Sequence, residues 1–278
     1  MVIDAVERIG KSIVQHGHLN QRIYVMRMSP DDIPDIIPLL DELAKKEGYS
    51  KIFVKVPEST IPVFSAVDYI VEATVPYFYH GLDSAVFMGK YFIHERNRVY
   101  NTKGIADILS ASFKHAQDKY TPQLPKEFSL THANFEDVQE IAAFYRSAFK
   151  TYPFPIFDPD FIKKSMSEDV CYFCIRQSNR IVAVASCEVN TEFLNAEMTD
   201  FATNPLFQGK GLAGNLLYAM ETEMKNDNIR LAYTIARATS FAINILFARA
   251  GYQYAGMLPN NTNISGAMES MNVWYRKL

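Results

Sequence analysis

The amino-acid sequence predicts a mixed α/β protein in two parts, and three observations point there. Residues 127–278 alternate strand-like and helix-like patterns in the order β-α-α-β-β-β-α-β-α-β-β. A polar stretch with two prolines, Tyr120-Thr121-Pro122-Gln123-Leu124-Pro125-Lys126, separates that run from an earlier one and reads as a linker. A glycine-rich turn at Gly209, Gly211 and Gly214 lies between a strand and a long amphipathic helix. With 278 residues, 48% of them hydrophobic and 21% charged, the chain can bury cores for two domains of ordinary size. The expected division is 1–122 for an N-terminal α/β domain and 123–278 for the C-terminal one.

In the first part, Arg22 to Met28 alternates like a strand. Asp31 to Lys46 carries Ile33, Ile36, Ile37, Leu40 and Leu43 at helical spacing, and Pro34 and Pro38 limit where that helix can begin. A strand at Lys51 to Val56, a short helix up to Val67, strands at Tyr69 to Tyr79 and Ala85 to Phe92, and a helix at Ile105 to Lys119 complete it. In the second part, Glu127 to Thr131 is a strand. Asn134 is placed to cap a helix at Phe135 to Phe149, with Glu136 and Asp137 in its first turn. Thr151 to Phe157 is an aromatic, proline-containing loop, and a helix starting at Asp158 or Pro159 runs to Met166. Strands at Val170 to Arg176, Ile181 to Val189 and Ala196 to Thr203 follow, the first two joined by a Ser178-Asn179 turn. A helix at Gly211 to Lys225, a strand at Leu231 to Ala236, a helix at Ser240 to Ala250 and strands at Tyr252 to Met257 and Ala267 to Arg276 end the chain.

A weak internal repeat links the parts at an offset of 183 residues. Phe64 falls on Phe247, and Val67-Asp68-Tyr69 on Ala250-Gly251-Tyr252. A degenerate copy of one strand-helix-strand-strand half and a coincidence among common α/β patterns both account for it.

Composition narrows the function. A net charge of −3 lacks the basic footprint of a nucleic-acid binder. The three cysteines, Cys171, Cys174 and Cys187, are too few for a disulfide framework and suit a reducing compartment. Cys171 and Cys174 have metal-like spacing, but three residues apart on a strand they face opposite sides. No second ligand pair lies near them in sequence, and the histidines offer only His16-x-His18, taken as a polar N-terminal turn. No metal is expected. No apolar run approaches the roughly 20 residues that cross a bilayer, and no apolar signal core begins the chain. The expectation is a cytoplasmic protein with a small-molecule amine as partner, neither nucleic acid nor membrane, and a homodimer left open.

The segment Asn204-Pro205-Leu206-Phe207-Gln208-Gly209-Lys210-Gly211-Leu212-Ala213-Gly214 carries the sharpest chemistry. Small residues let backbone approach a ligand, and the helix that follows presents free N–H groups and a positive dipole end. That combination suits a pyrophosphate. It is not a Walker loop, which needs Gly-Lys-Ser/Thr, and it follows three antiparallel-type strands rather than opening a Rossmann unit.

Gln208-x-x-Gly211-x-Ala213 resembles the R/Q-x-x-G-x-G/A motif of the GNAT N-acetyltransferases. Ala196 to Thr203 is similar to that family's cofactor-side strand, and Ser240 through Gly251-Tyr252 to its second helix. The resemblance covers about residues 127–278. It implies the GNAT fold, a mixed and mostly antiparallel sheet flanked by helices, with the N-terminal domain as a degenerate GNAT-like half. It implies acetyl-CoA as acyl donor, held by Phe201, Ala202, Thr203, Gln208, Gly209, Lys210, Gly211, Leu212, Ala213, Gly214, Ser240, Asn244 and Phe247. An alkylamine with a reference pKa near ~10.4 must lose a proton before it attacks the thioester, so a base is needed. Glu197 falls where lysine-acetylating relatives place theirs. The family's usual acid, a tyrosine, is replaced here by Phe247. Asn244, one turn earlier, is then a candidate to bond the pantetheine arm or thiol, with Tyr218 and Tyr252 as weaker acids. Tyr152, Phe154, Asp200, Asn260, Asn261, Asn263, Glu269 and Asn272 are candidate substrate walls. Asp200 faces away from Glu197 unless a bulge intervenes.

Further blocks resemble one branch of the family, which acetylates the chain-end amine of a diamino acid to give a compatible solute. They are Phe247 to Tyr252, Leu258 to Ile264, Glu269 to Trp274, Arg22-Ile23-Tyr24 and Tyr49 to Ile52, and they extend the resemblance over nearly the whole chain. A GNAT enzyme for another amine, such as a polyamine or aminoglycoside, and a non-catalytic acetyl-CoA-binding regulator are the alternatives.

Overall fold

The computed structural model describes residues 4–116, 118 and 121–278. The expected helix end at Lys119 and linker start at Tyr120 lie outside the described residues. The first part contains β1 (Ala5–Ile9), β2 (Ser12–Gly17), β3 (Arg22–Arg27), α1 (Ile36–Glu47), β4 (Lys51–Pro57), α2 (Ile61–Ser65), β5 (Ile70–Tyr79), β6 (Asp83–Tyr91), α3 (His94–Asn97) and α4 (Thr102–His115). The second contains β7 (Ser129–His132), α5 (Val138–Ala148), α6 (Pro159–Ser167), β8 (Val170–Gln177), β9 (Arg180–Asn190) and β10 (Asn195–Thr203). It continues with α7 (Leu212–Asn226), β11 (Leu231–Arg237), α8 (Phe241–Arg249), β12 (Gln253–Ile264) and β13 (Ala267–Lys277).

All these strands join one sheet in the order β1-β2-β3-β4-β6-β5-β12-β13-β11-β10-β9-β8-β7. Only β3/β4 and β10/β11 pair in parallel; the other described pairs are antiparallel. The two parts meet where β5 runs beside β12, with Ala73 opposite Gly256. A Cβ at Gly256 would sit 2.2 Å from the Glu72 carbonyl oxygen, so only glycine lets the two backbones close. Helices α7 and α8 cover one face of the second part, with Leu212, Leu216, Met220 and Met224 recurring every four residues toward the sheet. Helices α5 and α6 cover its other face. Helix α1 covers the first part. Helix α4 crosses over, its Phe113 ring 6.0 Å from Trp274 of the second part. No described helix is long and apolar enough to cross a membrane.

The repeat has a structural basis. Each part runs strand, helix, hairpin, and the second hairpin strand pairs antiparallel with the strand before the helix. The amide of Tyr69 donates to the Phe64 carbonyl at 3.2 Å, and that of Tyr252 to Phe247 at 3.0 Å. The ring pairs are edge-on in both, at 5.2 and 4.9 Å. The shared strand-helix-hairpin geometry at both places accounts for the offset.

Four local expectations need correction. Strands β1 and β2 were not anticipated, and His16 sits in β2, bonded to Tyr49 and Glu7, not in a turn. Helix α5 starts at Val138, because the Asn134 side chain accepts from the Glu136 amide and closes a separate turn first. Strand β12 continues to Ile264, a register shift between Leu258 and Thr262 absorbing extra residues that broke the alternation. A short helix, α3, fills what reads as loop.

Candidate active site

After β10, the Asn204 side chain accepts from the Leu206 amide at 3.0 Å and turns the chain. Gly209 and Gly211 then adopt φ of 78° and 74°, in the left-handed region that favours glycine. No side chain caps α7 and no acid lies in its first turn, so its leading N–H groups are free for an anion. The position of a Cβ on Gly209 meets nothing within 4 Å. A cleft of about 580 Å³ opens there, between α7 and α8. Phe201, Thr203, Gln208, Gly209, Gly211, Leu212, Ala213, Gly214 and Ser240 line it. An uncapped helix start, positive-φ glycines and an apolar wall fit a nucleotide pyrophosphate with an extended arm.

A bulge in β10 between Thr199 and Ala202 carries the chain past this cleft. Asp200, at φ 56°, sits on it. Its carboxylate accepts from the Tyr152 hydroxyl, from Ser186 at 2.5 Å and from Thr199 at 3.3 Å. Burial pushes the Asp200 pKa up while those hydroxyls pull it down. The space around Asp200 continues the cofactor cleft, sharing Phe201, Ser240 and Ile243 with it. It also continues a third cavity, which holds Tyr152, Phe154, Glu188, Glu197 and Asn261, with Arg22, Tyr24 and Phe53 from the first part. The bulge brings Asp200 and Glu197 to one cavity although they are three residues apart.

Glu197 lies directly across β9/β10 from Glu188. Glu188 meets solvent inside the cavity but is otherwise ringed by protein. Burial, then the charges of Glu197 and Asp200, push it up to about 8. Burial also raises Glu197, against the nearby Lys55 ammonium and a bond from Tyr233. Lys55, from the first part, donates to the Tyr233 hydroxyl at 2.9 Å, and burial lowers its pKa. Arg22 donates through Nη1 to the Asn261 carbonyl and to the Thr262 hydroxyl at 3.1 Å.

Several expected residues stand elsewhere. The Asn244 amide is buried and committed: it donates to the carbonyls of Arg237 and Ser240, and accepts from Asn272 and Trp274 Nε1 at 2.9 and 3.0 Å. It cannot also serve a thiol, and Asn272 is removed from the substrate wall by the same bond. Phe247 is in the core against Phe201 and Tyr252 and does not line the cleft. Ala202 faces the α5–α6 core. Lys210 lies outside the cleft lining, its ammonium 5.8 Å from the Phe128 ring centre. Asn260 holds the carbonyls of Arg96 and Arg98, Asn263 accepts from Thr151, and Glu269 accepts from Thr239. Tyr218 is exposed and Tyr252 belongs to the core.

Sequence reasoning missed Glu188, Lys55, Tyr233 and Arg22. Glu188 was readable only with the β9/β10 register, and Lys55 and Arg22 only with the two parts folded together. It also missed His132, Cys171 and Glu223, whose ligand-type atoms lie within 4.8 Å of one another, with His132 Nδ1 3.0 Å from Glu223.

Residues 135–252 match the acetyltransferase (GNAT) family. The chain is 38% identical over 274 residues to a beta-lysine N(6)-acetyltransferase of Methanococcus maripaludis, covering 99% of each. It is 31% identical to N-acetyltransferase YodP of Bacillus subtilis over 96% of each. Over 160 residues it is 35% identical to a beta-lysine N(6)-acetyltransferase of Methanosarcina mazei, 58% of this chain and 59% of that one.

Proposed function

Because the chain belongs to the GNAT family of acetyl-CoA-dependent N-acetyltransferases, we propose that it acetylates the terminal amine of β-lysine, giving N6-acetyl-β-lysine as a cytoplasmic compatible solute. The observation that carries this reading is the cavity beyond Asp200. It holds three carboxylates, Glu188, Glu197 and Asp200, and the guanidinium of Arg22. A diamino acid presents the complementary set, two ammonium groups and one carboxylate. The near full-length likeness to a beta-lysine N(6)-acetyltransferase supports the same substrate.

Acetyl-CoA supplies the acetyl group as an activated thioester. The free N–H groups at the start of α7, with Gly209 and Gly211, hold its pyrophosphate, and Phe201, Thr203 and Ser240 guide its arm toward Asp200. Asp200, fixed by three hydroxyl donors, orients the attacking amine. Glu197 takes the amine's proton, directly or through water. Its raised pKa brings its basicity nearer neutrality, where a general base works best. Phe247 has no proton to give, so the departing thiolate takes its proton from another group or from water.

The test is turnover with a panel of amines: β-lysine, α-lysine, spermidine and putrescine, with the product identified by NMR. We expect turnover on β-lysine with the acetyl group only on N6. Preference for spermidine, or acetylation of the 3-amino group, overturns this substrate and orientation.

A further inference from the structure

We propose that Arg22, contributed by the GNAT-like N-terminal half, is the receptor for the substrate's carboxylate and thereby selects which amine is acetylated. This deepens the β-lysine reading and rests on it.

Arg22 is only 3% exposed, yet it lines the cavity that contains Glu188, Glu197 and Asp200. Its Nη1 is occupied by the carbonyl of Asn261 and the hydroxyl of Thr262, both on β12. Its Nε is buried with no acceptor. No carboxylate among the described residues comes within ion-pair distance of it. The two acids whose charges reach it are already engaged. Glu72 accepts from Lys51 at 3.0 Å and from Tyr91, and Asp4 accepts from Asn20 and from the Leu19 amide. Burial lowers the guanidinium only to about 10, so it stays charged at neutral pH.

A buried charge without a counter-ion is costly, and proteins keep one where a ligand supplies the partner. The planar guanidinium matches a carboxylate, and the rings of Tyr24 and Phe53, 5.2 and 5.8 Å away, shield it from water. Asn261, whose backbone carbonyl Arg22 holds, also carries a buried Oδ1 with no partner.

Placement then dictates regiochemistry. Asp200 is shared between the acyl channel and this cavity, whereas Arg22 belongs to the cavity alone. A carboxylate on Arg22 directs the rest of the substrate toward Asp200. In β-lysine the 3-amino group is next to the carboxylate and is kept back among the cavity acids. The 6-amino group is at the far end and reaches the channel.

The experiment compares kcat and KM for β-lysine, its carboxamide and its decarboxylated counterpart pentane-1,4-diamine, in wild type, Arg22→Met and Arg22→Lys. Wild type is expected to favour β-lysine over both analogues by about 10²–10³-fold in kcat/KM, mostly through KM. Arg22→Met should lose about that factor on β-lysine while staying within about threefold on the diamine, and Arg22→Lys should recover part of it. Equal loss on all acceptors with CoA binding intact overturns the receptor, and so does a preference that survives in Arg22→Met. If Arg22→Met does not fold, the wild-type comparison decides alone: carboxamide and diamine used as well as β-lysine overturn the receptor and leave N6-acetylation standing. Wild type that acetylates spermidine but none of these three overturns the substrate reading and the receptor with it.

Discussion

The run β1-β2-β3-α1-β4-α2-β5-β6 of the first half and the run β8-β9-β10-α7-β11-α8-β12-β13 of the second share a plan, and they contrast at the start of the helix that follows β3 in one and β10 in the other. In the second half that entrance is Gln208-Gly209-Lys210-Gly211, with two glycines in the left-handed region and an uncapped helix behind them. In the first half it is Ser29-Pro30-Asp31-Asp32-Ile33-Pro34-Asp35. Prolines remove amide donors there, and three aspartates oppose a phosphate. The second entrance suits an anion and the first does not. The first half instead lends Arg22, Tyr24, Met26 and Phe53 to a cavity whose other walls belong to the second. A half without such an entrance can still line its twin's cavity, because the β5–β12 junction sets the two side by side.

The largest expected effect tests the chemical part of the working half. Glu197→Gln should lower turnover by about 10²–10⁴ near neutral pH. The group must be unprotonated to act and its pKa is raised, so wild-type kcat/KM should climb with pH through a point above the ordinary carboxylate range. The variant should lack that limb. Steady-state rates from pH 5 to 9 check it, and a variant with the wild-type profile assigns the proton to another group.

Next comes the contrast between the two entrances. Gly211→Asp puts a carboxylate beside the pyrophosphate and should weaken CoA by about 10²-fold, whereas Asp35→Asn at the corresponding place in the first half should leave affinity unchanged. Calorimetric titration with CoA measures both, and equal behaviour would erase the asymmetry.

The junction itself is sharpened by Gly256→Ala. Its methyl collides with the Glu72 carbonyl and should cost about 2–4 kcal/mol of stability by forcing the strands apart. The substrate KM should rise several-fold while CoA affinity holds, because the proposed substrate cavity is lined from both halves and the cleft at α7 by the second half alone. Denaturant melts and paired titrations separate these outcomes.

The smallest effect on catalysis is expected from Asn244→Ala. Removing that amide strands the buried donors of Asn272 and Trp274, at about 2–4 kcal/mol of stability. The rate per folded enzyme should stay near wild type. A hundredfold fall in kcat at unchanged stability would restore the thiol-bonding role that the helix position suggests.

Much of the fold was legible because its signals are local. Val170 to Ile175 is a short unbroken apolar run ended by a polar turn, Asp158-Pro159 opens α6 with the aspartate capping, and Gln208 to Gly214 joins strand to helix within a few residues. The strands missed, β1 and β2, are short and interrupted by Gly10-Lys11 and His16-Gly17-His18, so alternation never builds up. The substrate wall fared worst. Asn260, Asn263, Glu269 and Asn272 were chosen for chemistry on a stretch whose register was not visible, and each side chain is bonded elsewhere: Asn260 to backbone carbonyls, Asn263 and Glu269 to threonine hydroxyls, Asn272 to Asn244.

The sequence by itself determined the glycine turn between β10 and α7, the order of elements around it and the place of Glu197 on a strand, since each depends on neighbours within about one turn or one strand. Only the tertiary structure decided which charged groups share a cavity. Glu188 reaches Glu197 through strand register, Asp200 joins them through a bulge, and Arg22 arrives from a strand 239 residues before its carbonyl partner Asn261. Contacts of that range are set by how the two halves close on each other, and the spacing of residues along a chain carries no record of it.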